Sequence, residues 1–76
     1  MKKTGPPRNA LKVLRASRGL RQIDVSAATD IQITRYHYIE NGYAPTRSEA
    51  DALAGFFGVP VRALKFQSIH REQVSA

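Results

Sequence analysis

Seventy-six residues make one domain and no more, and a chain this small buries only about 60% of its unfolded surface, so its core must be economical. The absence of cysteine excludes disulfide staples and cysteine-ligated zinc and fits a reducing, cytoplasmic setting. Twelve Lys and Arg against six Asp and Glu leave a charge of +6, and the basic residues Lys2, Lys3, Arg8, Lys12, Arg15, Arg18 and Arg21 all precede the first acid, Asp24, a one-sided field that attracts polyanions, nucleic acid ahead of anionic membrane.

Residues 1–8 lack an apolar pattern and read as a flexible basic arm. Gly5-Pro6-Pro7 follows Met1-Lys2-Lys3 where a secretory signal would need an apolar run. The most apolar stretch, residues 50–61, is interrupted by Asp51, Gly55, Gly58 and Pro60, so no membrane span is expected.

Asn9 is a good N-cap for a first helix over residues 10–18, with Leu11 and Leu14 at helical spacing and Ala10 and Val13 flanking them. Gly19 ends it as a left-handed C-cap, with Leu20 folding back. Lys12, Arg15 and Arg18 recur every three residues, so at least one faces water. A second helix is predicted over residues 22–28, with Asp24 at the positive end of its dipole. Val25 and Ala28 are its expected buried pair, and Ser26 and Ala27 are small enough for close helix approach. Thr29-Asp30 forms the corner, since Asp tolerates left-handed backbone.

A third helix is predicted over residues 32–40. Ile31, Tyr36 and Ile39 form its inward side, and Gln32, Ile33, Thr34, Arg35, His37 and Tyr38 cover the other faces. Asn41-Gly42 stops it. Thr46 and Glu49 form a capping box for a fourth helix ending near Phe57, which buries Ala50, Leu53, Ala54 and Phe57. Pro60 suits the first turn of a fifth helix over residues 60–66, offering Val61 and Leu64. Residues 67–76 form a polar tail that frays or extends that helix. Five short helices and no strong strand candidate make the chain all-α.

Two helices joined by a tight corner on a small basic domain fit the general helix-turn-helix plan. The set Leu11, Leu14-Arg15, Gly19-Leu20, Gln22, Val25, Ile31, Ile39-Glu40, Gly42, Pro45, Leu53-Ala54, Gly58-Val59-Pro60 and Leu64 resembles the Cro and lambda-repressor type of helix-turn-helix domain, also called XRE-type. The resemblance covers residues 9–66, without a gap from Gln22 to Gly42.

It implies a compact five-helix DNA-binding domain whose third helix lies in the major groove. Gln22 matches a residue that holds a phosphate and braces the reading helix, at a helix N-terminus suited to anions. Gln32, Ile33, Thr34 and Tyr38 match positions that face base edges, with Arg35 and His37 beside them and Arg35 directed to a base or to a phosphate. Glutamine pairs with adenine, arginine with guanine, and Ile or Thr packs on a thymine methyl. Arg21, His37, Asn41, Tyr43 and Arg47 are the expected phosphate contacts. Arg15 and Glu40 resemble the family's internal ion pair; separately, a carboxylate at a helix C-terminus, disfavoured by about 0.3–1 kcal/mol, calls for a cation.

The departures are specific. Arg21 stands where a Ser, Thr or Asn cap is usual, so the second helix is expected to lack that cap. Asp30 stands where Gly is usual, Ser26 replaces a tightly packed Ala, and Tyr36 replaces a branched aliphatic residue and asks for a roomier core or a hydrogen bond for its hydroxyl.

An enzyme is the weakest reading: His37 and His70 are far apart in sequence, and the acids show no acid–base, cofactor or metal spacing. The favoured reading is a transcriptional regulator, a repressor, of bacterial or phage type. The second is a protein-partner regulator, since antitoxins of toxin–antitoxin pairs use the same domain. Phe56, Phe66 and Ile69 exceed what so small a core readily absorbs, so a homodimer through the last helices and the tail is expected.

Overall fold

The computed structural model describes residues 8–70. The rest of the expected arm (residues 1–7) and the end of the expected tail (71–76) lie outside the described residues. Four α-helices follow one another: α1 (Leu11–Ser17), α2 (Gln22–Thr29), α3 (Ile33–Glu40) and α4 (Arg47–Phe57). A 3-10 turn, Val61–Leu64, follows them among the described residues.

The core is Leu11, Val25, Ile31, Tyr36, Ile39, Leu53, Ala54, Phe57 and Leu64, all buried. Every helix contributes to it, as helices of 7 to 11 residues require: none is long enough to hold its shape in water, so packing supplies the stability. Leu14, Leu20, Phe56, Val59, Val61 and Phe66 pack around its edge, half-buried. Phe56 and Phe66, expected as surplus apolar surface, are therefore in use within the monomer.

Asn9 caps α1 from one residue further back than a standard N-cap, which here is Ala10. Its Oδ1 accepts from Leu11 N at 3.0 Å while its Nδ2 donates to Ile39 O at 2.8 Å. One buried side chain thus starts α1 and ties it to the last turn of α3. At the other end Gly19, with φ +66°, lets Leu20 N reach Arg15 O at 3.1 Å and Gly19 N reach Ala16 O at 3.0 Å, the paired bonds of a Schellman motif. Val13, expected beside the apolar stripe, is 59% exposed, because seven residues bury only one narrow face.

The buried side of α2 differs from expectation. Val25 and Ser26 are its buried residues and Ala28 is exposed. The inward stripe runs Gln22, Val25, Ser26, Thr29, a spacing of i, i+3, i+4, i+7, and Ala28 falls off it. Ser26 is acceptable there because its hydroxyl donates to Ile31 O, and Thr29 Oγ1 donates to Val25 O at 2.8 Å.

The Thr46–Glu49 capping box opens α4: Glu49 N donates to Thr46 Oγ1 at 3.1 Å and Thr46 N to Glu49 Oε1 at 2.8 Å. The C-terminus of α4 is tied to α1, as Arg18 donates to Phe57 O at 2.9 Å and lies 5.2 Å from the centre of the Phe57 ring. The expected fifth helix is cut to four residues. Lys65 turns left-handed at φ 57°, and Leu64 O accepts from Ala10 N at 2.8 Å, bonding across the fold instead of along a helix. The segment that follows neither frays nor extends a helix up to residue 70: His70 N donates to Pro45 O at 2.6 Å in an isolated bridge beside Thr46.

Candidate nucleic-acid interface

The corner between α2 and α3 sets the direction of α3. Asp30 caps α2 in the left-handed region at φ 63°, ψ 25°. The Ser26 hydroxyl holds the carbonyl of Ile31, whose side chain is 7% exposed. With Ile31 anchored, α3 buries Tyr36, Ile39 and Glu40. The residues left outside repeat on one stripe: Ile33, Thr34, His37, Tyr38 and, just past the end, Asn41. Gln32 precedes them, exposed as the N-cap of α3. Ile33 is 36% and Tyr38 45% exposed. Single exposed apolar residues are ordinary, but these two share one stripe with polar side chains on a basic domain, a combination that suits a partner's surface.

The opposite side of α3 is locked by polar contacts centred on Glu40, which is 8% exposed. Its carboxylate accepts from Arg15 Nε at 2.6 Å and Nη2 at 3.2 Å, from the Tyr36 hydroxyl, and from Gln22 Nε2 at 3.0 Å. Burial pushes the Glu40 carboxyl up, but the hydrogen bonds from Arg15, Tyr36 and Gln22 outweigh it and hold the group below the usual carboxylate value. Burial first, and then the adjacent carboxylate, push the Tyr36 phenol well above its usual range, so it stays a neutral donor. Arg15 also donates to Leu20 O at 2.9 Å. Three helices thus meet on one anion, and the phenol for which Tyr36 needed a partner is satisfied there.

Gln22 joins that cluster to the surface. Its side-chain amide, at the N-terminus of α2, donates to Glu40 and lies 3.4 Å from His37 Nδ1. His37 is exposed, and its other ring nitrogen is 3.2 Å from Asn41 Nδ2. Asn41 Nδ2 also donates to His37 O at 2.8 Å, closing the end of α3.

Arg35 is placed differently from its neighbours. Its guanidinium grips Glu49 at 2.9 and 2.8 Å and reaches Ala44 O at 3.2 Å. The bidentate contact binds α3 to the first turn of α4 and points Arg35 away from the outer stripe. It also holds the Glu49 carboxyl below its ordinary value, with Thr46 N adding to the effect. Arg35, expected among the base readers, is thus engaged within the monomer.

Arg21 is the N-cap of α2 without an acceptor of its own. Asp24 supplies the cap from the other side: its Oδ2 accepts from Arg21 N at 2.7 Å, and its two oxygens accept from the Arg21 guanidinium at 3.1 and 2.9 Å. The helix end thus keeps half a capping box where none was expected. Arg47 stands 3.3 Å from Asp51 in an exposed pair, too weak to withhold its charge from a stronger anion.

Gly42, at φ +107°, reverses the chain after α3. Gly42 N donates to Ile39 O at 3.1 Å and Tyr43 N to Tyr38 O at 3.0 Å, the same paired bonds as at the end of α1. The Arg8 side chain lies over this turn, 3.3 Å from where a Cβ on Gly42 would sit. Arg8 therefore belongs with the residues around the end of α3. Charge was its only signal in the sequence, and a count of charges does not say where one will lie.

No helix among the described residues is long and apolar enough to cross a membrane, and no group of three or more His, Cys, Asp or Glu gathers there as a metal site. A family model described as helix-turn-helix matches residues 11–64. No curated protein and no solved structure matches the chain.

Proposed function

Because the chain belongs to the XRE-type helix-turn-helix family, we propose that it is a regulator that binds double-stranded DNA in a sequence-dependent way, with α3 in the major groove. The observation that carries this reading is the stripe of Ile33, Thr34 and Tyr38, with Gln32 ahead of it, exposed on a helix whose reverse side is fixed by the core and by Glu40. A rigid helix presenting amide, hydroxyl, methyl and aromatic groups together has what base edges require.

Gln22, at the start of α2, is the central backbone contact, where the helix dipole and the side-chain amide both favour a phosphate. Asn41, Tyr43 and Arg47 extend that contact past the end of α3, and Arg21 and His37 flank it. Arg8 joins them through its place over Gly42. Arg35 we reassign from base reading to bracing, since freeing it would break a two-pronged ion pair. Such a protein represses by occupying an operator, and as a dimer it would span half-sites about 34 Å apart.

Selection of bound fragments from a random DNA pool tests the reading. An enriched palindromic motif is the expected result, with affinity falling as salt rises at a log–log slope of about −0.9 per phosphate contacted. No enrichment, or affinity indifferent to salt, would refute it.

A further inference from the structure

Tyr38 and Tyr43 pack against each other in a tilted pair, with ring centres 5.1 Å apart and planes 34° apart. The cause is the turn between them. In the Schellman arrangement after α3, Tyr38 and Tyr43 occupy the two positions whose side chains this motif brings together. The left-handed Gly42 folds Tyr43 back over the last turn of the helix. At the end of α1 the same motif turns its apolar residue, Leu20, onto the core. Here both rings stay outside, Tyr38 45% and Tyr43 58% exposed, and Thr34 lies one helical turn before Tyr38 on the same stripe.

We propose that the two rings act as one aromatic ledge that recognises the 5-methyl group of a thymine, with Tyr38 making the contact and Tyr43 a positioning residue that fixes the Tyr38 ring. The inference rests on the DNA-binding reading above. An exposed tyrosine on a helix ordinarily turns freely about its side-chain bonds and loses that freedom on binding. A second ring packed against it, held by a backbone bond, removes the freedom in advance. The thymine methyl is the one apolar group that base pairs offer in the major groove, which matches the flat apolar surface of a ring. Tyr43 is thereby given a role through its ring, in addition to the phosphate contact through its hydroxyl.

The test uses the full chain and the DNA site recovered by selection, with each thymine replaced in turn by uracil, a change that removes only the methyl. Fluorescence anisotropy gives Kd for wild type, Tyr38→Ala, Tyr43→Ala, Tyr43→Phe and Tyr43→Leu, with melting temperatures measured alongside. Wild type should lose about fourfold at one thymine per half-site, the worth of one buried methyl. Tyr43→Phe should keep that loss, and Tyr43→Ala and Tyr38→Ala should abolish it while the response at other thymines persists. Tyr43→Leu keeps an apolar contact at the helix end without a ring, so it too should abolish the response while melting as wild type does. An unchanged uracil profile in Tyr43→Ala or Tyr43→Leu overturns the ledge. So does a uniform loss in Tyr43→Phe equal to that in Tyr43→Ala with the uracil profile unchanged in both, which would leave Tyr43 its phosphate contact alone. A wild type that selects no site removes both the ledge and the reading beneath it; a site whose thymines are all indifferent to uracil removes the ledge alone.

Discussion

Replacing Glu40 by Gln keeps the side-chain shape and deletes the charge on which three helices converge. The Glu40 side chain is 3% exposed and that of Arg15 15%, so the change strands a guanidinium in a largely dry place. Breaking a buried pair by removing one partner costs about 3–5 kcal/mol. Arg15 keeps its bond to Leu20 O and a little solvent, which argues for the lower end, about 3 kcal/mol. Each Glu40 oxygen accepts from a different Arg15 nitrogen, so whichever way the new amide is placed its N–H opposes a guanidinium N–H and one of the two Arg15 bonds is lost. A domain of this size has roughly 4–11 kcal/mol of stability in total, so Glu40→Gln should stay folded with a large share of its margin gone. The melting temperature should drop by about 12–24 °C. Urea unfolding at pH 7 followed by far-UV circular dichroism measures the loss directly, with an unchanged m-value showing that both states keep their compactness. A loss below about 1 kcal/mol, the worth of an exposed pair, would show that the carboxylate is solvated and would refute the reasoning.

The Glu40 and Glu49 carboxyls both sit below their ordinary value of 4.5 in the folded protein, so the stability they contribute is complete above that value and is lost as pH falls through the folded values. Urea midpoints measured from pH 6 downward should therefore stay flat to about pH 5 and then fall, and Glu40→Gln should shallow that fall; a parallel curve would exclude Glu40 as a cause. Gly42→Ala must hold a side chain at φ +107° with its Cβ 3.3 Å from the Arg8 side chain, and should cost more than the usual 1 kcal/mol of a misplaced alanine; denaturant titration within a few tenths of wild type would contradict it. Gln22→Ala should weaken binding to all DNA sequences alike, whereas Thr34→Ala should alter the preferred base; a selection profile unchanged in Thr34→Ala removes that residue from the reading set.

The periodicity of α3 was legible because Tyr36 and Ile39 are apolar and three apart, and the outer stripe follows from them by subtraction. The same logic misled on α2. There the inward stripe contains Gln22, Ser26 and Thr29, polar residues made tolerable by partners that a hydrophobic pattern does not weigh. A cation for Glu40 could be expected from its place at a helix end, but that Tyr36 and Gln22 share the carboxylate depends on how the helices cross. Arg35 shows the same limit: Glu49 announces itself as a cap for its own helix, and nothing local says that it also reaches α3. The fifth helix is shortened for a related reason. Seven residues are too few to form a helix unaided, so the bond between Ala10 N and Leu64 O decided the outcome, and it joins residues at opposite ends of the domain.

The buried Asn9 amide fastens the entrance of the first helix to the exit of the third, and the strand-like return at His70 clasps the loop beyond. The segment that faces outward is therefore gripped from both flanks by parts of the chain that never leave the scaffold. Residues 22–42 synthesised as a free peptide would lack every one of those clasps and should be largely unstructured. Grafting that segment onto a foreign host would transplant its letters without its orientation.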